Sequence, residues 1–170
     1  MPRPGLAAAR WAATILLAGG CAHYSTSSGL VGGIRTVAIP VAENDTATPE
    51  VAEALTVRLA DAFAADGRLR VVDEDRADAV LQVTVTEVED QPFTFTAGEQ
   101  TQQYRFRVFV DADLARAEDE GRLLELRRLT GWGTYDATAA DTDSLGREPA
   151  IRAALDIVVE EIVDRTTASW

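Results

Sequence analysis

The 170-residue sequence contains no lysine and only one cysteine, one histidine and one methionine. Each shortage removes a class of function. With a single cysteine, Cys21, no disulfide can form within the chain and no cysteine-based zinc cluster can be built. The only histidine, His23, lies two residues beyond that cysteine in a polar stretch, where nothing holds the fixed geometry a catalytic base needs. All 16 basic residues are arginine, set against 28 acidic ones, for a formal net charge of -12. Removal of a leader carrying Arg3 and Arg10 leaves 14 arginines against 28 acids, a net of -14. Such a surface repels bare DNA or RNA, which needs a basic one. Hydrophobic residues make up 46% of the chain, enough for one packed domain rather than a disordered tail.

Long apolar runs are also missing. The run from Trp11 to Ala18 is far short of the roughly 20 residues a membrane-spanning helix requires, and it matches the core of an export signal. Ala18-Gly19-Gly20 follow, small enough for a peptidase to approach the backbone, and then comes Cys21. This order resembles the lipobox of bacterial lipoproteins. The resemblance implies cleavage before Cys21 and acyl chains on that residue, which would hold the protein on a membrane. Stable anchoring takes more than one chain, which a triacylated cysteine would supply. Ala22, by analogy with the enterobacterial sorting rule, points to the outer membrane. The expected division is a signal peptide over residues 1–20, a Ser/Gly-rich tether over 21–33 and one domain over 34–170.

Periodicity predicts an α+β fold: two amphipathic helices packed on one face of a mixed β-sheet of about four to five strands. Residues 35–39 form a short β-branched strand closed by Pro40. Asn44, Asp45 and Thr46 make a loop, with Thr48 as N-cap and Pro49 at the first helical position. Val51, Leu55, Leu59 and Phe63 lie on one helical face, and Gly67 stops the helix. Residues 69–72 are a second strand, parallel to the first through a crossover. Three longer strands cover residues 80–89, 104–114 and 123–135. Tyr104, Phe106, Val108 and Val110 alternate with Arg105, Arg107, Phe109 and Asp111, so one sheet face is covered and the other wetter. Gly131 and Gly133 mark a bulge or a close backbone approach. Ile151, Leu155, Val158 and Ile162 stripe a closing helix over residues 149–165.

No catalytic constellation emerges, and no metal or cofactor is expected. Asp141-Thr142-Asp143-Ser144-Leu145-Gly146 opens like a calcium loop but fails. Leu145 stands where the third ligand belongs and Arg152 where the bidentate glutamate belongs, which leaves helix capping for Asp143 or Ser144. The wet sheet face offers one candidate site. Arg105 and Arg107 point to the same side, Phe109 continues it and Arg127 joins from the neighbouring strand, whereas Arg128 is expected on the other face. Such a cluster suits a lipid phosphate and an acyl chain. The competing role is charge balance against Asp111, Glu87 and Glu125 across strands.

The order of parts is familiar. Cys21 and Tyr24 are followed by IRTVAIPVAEND with Asn44, then VAEALTVRLADAF, DGRLRVVDEDRADAVLQVTVTEV and a final REPAIRAALDIVVEEIVDR. Over nearly the whole mature chain this resembles the LptE family of lipopolysaccharide-assembly lipoproteins. The resemblance implies a non-enzymatic protein, lipid-anchored on the periplasmic side of the outer membrane. Its implied partners are lipopolysaccharide and an LptD-like β-barrel that it plugs. The opening strand, helix and RLRVVD strand also look like the N-terminal domain of TolB-type periplasmic proteins, which would make the chain an interaction module of another envelope machine. A small envelope hydrolase is disfavoured by the lack of a placed nucleophile or base.

Overall fold

The structure is a computed structural model that describes residues 33–140 and 146–168. Its elements are β1 (Thr36–Ala38), β2 (Glu43–Asn44), α1 (Pro49–Asp66), β3 (Arg70–Val71), β4 (Ala79–Phe95), β5 (Thr101–Arg116), β6 (Arg122–Asp136) and α2 (Glu148–Thr167). A 3₁₀ turn at Glu74–Arg76 and a short helical turn at Ala137–Ala140 connect them. The sheet runs β3-β1-β4-β5-β6, with β2 also beside β4. β1 is parallel to both β3 and β4, while β4, β5 and β6 form an antiparallel meander. The expected mixed α+β fold is present, with six strands rather than four to five. The sixth is β2, two residues inside the expected loop. It pairs Glu43 with Thr84 and Asn44 with Val85, and Asp45 N–H donates to the Val85 carbonyl at 2.9 Å. Two residues are too few to carry a period, so only the pairing reveals this strand.

The core forms where the helical stripes meet the covered sheet face. Val51, Leu55, Leu59 and Phe63 of α1 are fully buried, as are Leu155, Val158 and Ile162 of α2. They share one cluster with Leu81, Val83 and Val85 of β4 and with Phe106, Val108 and Val110 of β5. Gly67 ends α1 in the left-handed conformation (φ 71°), its N–H donating to the Phe63 carbonyl at 3.0 Å. Thr48 occupies the N-cap position, but its side chain makes no capping bond. The turn is organised by Asn44 instead. Its Nδ2 donates to the Thr48 carbonyl at 3.0 Å, and its Oδ1 accepts from the Thr46 N–H and Oγ1–H at 2.9 and 2.7 Å. Asp78 ties the beginnings of β1 and β4 together by accepting the Arg35 and Thr36 N–H groups at 2.8 and 2.9 Å.

Two of the register shifts in the meander decide how its central outer residues meet. In β4, Val85 faces Val110 and Glu87 faces Phe109, which leaves Thr86 as the extra residue. Its hydroxyl donates to the Phe109 carbonyl at 3.2 Å. The pairing of β4 continues to Phe95, well past the expected end at residue 89. In β6, Leu126 faces Ala112 and Leu129 faces Val110, so Arg127 and Arg128 together oppose Asp111. Arg128 takes φ 52° and its N–H donates to Asp111 Oδ1 at 2.7 Å. Simple alternation placed Arg127 and Arg128 on opposite faces. The bulge puts both on the outer one. Gly131 and Gly133 serve the close approach rather than a bulge. A Cβ on Gly131 would lie 1.8 Å from the Ala154 carbonyl oxygen, and one on Gly133 2.3 Å from that of Ala150, so α2 lies directly on bare backbone.

Candidate functional site

The outer face of β4, β5 and β6 carries the residues singled out above, and register decides how they meet. Arg107 lies opposite Glu89 on one side and Trp132 on the other, while Arg105 lies opposite Gln91 and Thr134. Arg107 forms an ion pair with Glu89. Arg127 binds Asp113 at 2.9 Å and Glu125 at 2.6 Å, with Asp111 at 3.8 Å. The Asp113 hydrogen bond is the main reason the Arg127 guanidinium is held above its ordinary pKa. Arg128 reaches Glu87 at 3.3 Å and lies 4.4 Å above the Phe109 ring, which the Arg107 guanidinium also approaches at 5.9 Å. Phe109 is consequently only 6% exposed.

Arg105 differs. It forms no ion pair among the described residues. Its guanidinium carbon lies 3.4 Å from the centroid of Phe93 and 5.2 Å from that of Trp132. Its Nε is buried without a hydrogen-bond partner in the described structure. Phe93 and Trp132 are 42% and 49% exposed, and Phe95, two residues along β4, is 57% exposed. The structure thus divides the four candidate residues. Arg107, Phe109 and Arg127 belong to a ladder of charge pairs, and Arg105 belongs to an aromatic cluster. Trp132 and Phe93 were missed. Trp132 stands between two glycines that leave no alternating pattern around it, and Phe93 falls beyond the expected strand end, after Pro92.

On the covered face at the same end, Tyr135 stacks on Tyr104 with centroids 5.5 Å apart and donates to Asp90 at 2.8 Å. Arg147, just before α2, reaches Asp90 Oδ2 with its Nε at 2.9 Å. Burial, followed by the Asp90 hydrogen bond, pushes the Tyr135 phenol far above its ordinary range, so it stays a proton donor. This network joins β4 and β6 to the start of α2. A groove of about 500 Å³ runs between the helices, floored by Ala62, Ala65, Val159 and Val163. No group of three or more metal-ligating side chains occurs among the described residues. No described helix is long and apolar enough to cross a membrane. Cys21 and the cap candidates Asp143 and Ser144 lie outside the described residues.

A structure from Xanthomonas campestris has a TM-score of 0.58 at 18% identity, with 79% of this chain and 84% of that chain covered. Lipoprotein B from Nitrosomonas europaea has a TM-score of 0.50 at 18% identity, over 79% and 83%. The dodecameric PelC of Paraburkholderia phytofirmans has a TM-score of 0.50 at 15% identity, over 79% and 89%. At these identities the likeness is one of fold. Among curated proteins no relative matches. The sequence model of the LptE family, described as lipopolysaccharide-assembly, matches residues 34–166, which is all but a few residues of the folded domain. The chain belongs to the LptE lipopolysaccharide-assembly family.

Proposed function

We propose that this protein is an outer-membrane lipoprotein, held on the periplasmic side by acyl chains on Cys21, that supports lipopolysaccharide assembly as the plug and partner of an LptD-like β-barrel. The observation that carries the reading is the family match over residues 34–166. The short apolar leader and the placement of the only cysteine support the anchor. The role is structural rather than enzymatic: as a plug the chain helps the barrel fold and helps lipopolysaccharide reach the outer leaflet. For Arg107, Phe109 and Arg127, the ion pairs and ring cover favour charge balance over lipopolysaccharide contact.

Affinity purification of the tagged chain from detergent-solubilised outer membranes tests the reading. An LptD-like barrel is expected at near-equal amounts. Recovery of only inner-membrane or peptidoglycan-associated partners would transfer the chain to the class of TolB-like interaction modules.

A further inference from the structure

The cluster around Arg105 has an occupant to be named. Arginine binds rings through its flat faces and oxyanions through its edges, and the two uses are compatible. Here Phe93 and Trp132 engage the guanidinium while no carboxylate is paired with it, on a face where Arg107, Arg127 and Arg128 all have acidic partners. The rings also lower the local dielectric, which strengthens any charge pair formed there.

We propose that Phe93, Arg105 and Trp132 form a protein-docking site, in which Arg105 takes a single aspartate or glutamate side chain from the wall of the barrel partner while the two rings pack around it. The proposal rests on the barrel reading given above and names the surface that meets the barrel.

Charge complementarity selects this occupant. The cluster supplies one uncompensated cation. The surrounding outer face holds Glu87 and Glu89, already paired, and the chain as a whole is strongly acidic. A dense array of phosphates, as on a lipid surface, would bring several anions against those acids. An isolated carboxylate on a protein wall meets only the arginine. The cross-strand neighbours of Arg105, Gln91 and Thr134, are uncharged, and Arg107, opposite Trp132, is already paired with Glu89. An exposed Trp and Phe around an Arg, rimmed by neutral polar groups and a satisfied ion pair, is the composition of an interface hot spot.

The test uses the full chain co-expressed with the host's LptD-like barrel. A photo-crosslinking phenylalanine analogue is placed at Trp132, at Phe93 and, as a control on the helical side, at Ile157. The expected result is a barrel adduct from positions 132 and 93, in clearly higher yield than from 157. Arg105→Glu should lower recovered barrel at least tenfold and Arg105→Lys less, with circular dichroism and thermal midpoint unchanged. Exchanging the crosslinked acidic residue of the barrel for arginine should restore recovery with Arg105→Glu. Wild-type recovery of the barrel without adducts at 132 and 93, and with undiminished Arg105→Glu complex, overturns the docking site and leaves the barrel reading standing. Failure of the wild type to recover any barrel overturns both. Loss of binding to purified lipopolysaccharide micelles in Arg105→Glu, with barrel recovery intact, assigns the arginine to phosphate and also overturns the proposal.

Discussion

Asp78 acts chiefly on backbone. Its carboxylate accepts two consecutive N–H groups, and the Arg35 and Thr36 bonds hold its pKa below the ordinary 3.8. A lowered folded-state pKa contributes stability that is fully present above the unfolded value and is lost as pH falls through the folded one. Asp66, held down by Arg68, acts in the same sense. Asp78→Asn is therefore expected to be less stable than wild type at pH 7, and the difference should shrink as pH falls below about 4. Urea unfolding at pH 7, 4 and 3 checks this, and equal midpoints at pH 7 would refute it. Asn44 carries the second residue-scale prediction. Asn44→Ala removes three hydrogen bonds that shape the turn into α1 and is expected to cost about 1–2 kcal/mol. Thr48→Ala should cost little, because the Thr48 side chain caps nothing. Comparing the two denaturation midpoints separates the roles.

Between elements, the decisive contact is α2 on β6. Gly131 and Gly133 let the helix backbone lie against the strand, with Ala150 and Ala154 as the facing residues. Gly131→Ala places a methyl group within 2 Å of a backbone carbonyl that no rotamer change can move. It is expected to destabilise by about 3 kcal/mol, the upper end for overpacking. Gly67→Ala meets open space and pays only for the left-handed backbone, about 1 kcal/mol. Guanidinium titration of the two variants should rank Gly131→Ala well below Gly67→Ala. The reverse order would mean that α2 has freedom to shift.

The whole molecule joins a parallel corner, β1-α1-β3, to a long antiparallel meander along the single strand β4. One sheet face carries both helices, and the other carries the ion-pair ladder and the aromatic cluster. The proposed anchor at Cys21 belongs to this scale too, because it would set where that face can work. Cys21→Ser is expected to leave the protein uncut or soluble in the periplasm. Labelling with a palmitate analogue checks it: a wild-type protein that takes up no label and fractionates as soluble would refute the anchor.

Much of this was legible along the chain because it is local. The stripes Val51-Leu55-Leu59-Phe63 and Ile151-Leu155-Val158-Ile162 are consequences of helical period, and the outward Arg105 and Arg107 follow from strand period. The close approach at Gly131 and Gly133 was foreseeable from the missing side chains. Tertiary structure decided what depends on a partner strand. The Arg127–Arg128 bulge exists because two residues oppose Asp111, and no local pattern records how many residues face one another across a ladder. β2 exists only through its pairing with Thr84 and Val85, and β4 outlasts Pro92 because β5 continues beside it. Alternation placed the arginines on a face; cross-strand register determined that Arg107 would have an acid and Arg105 two rings.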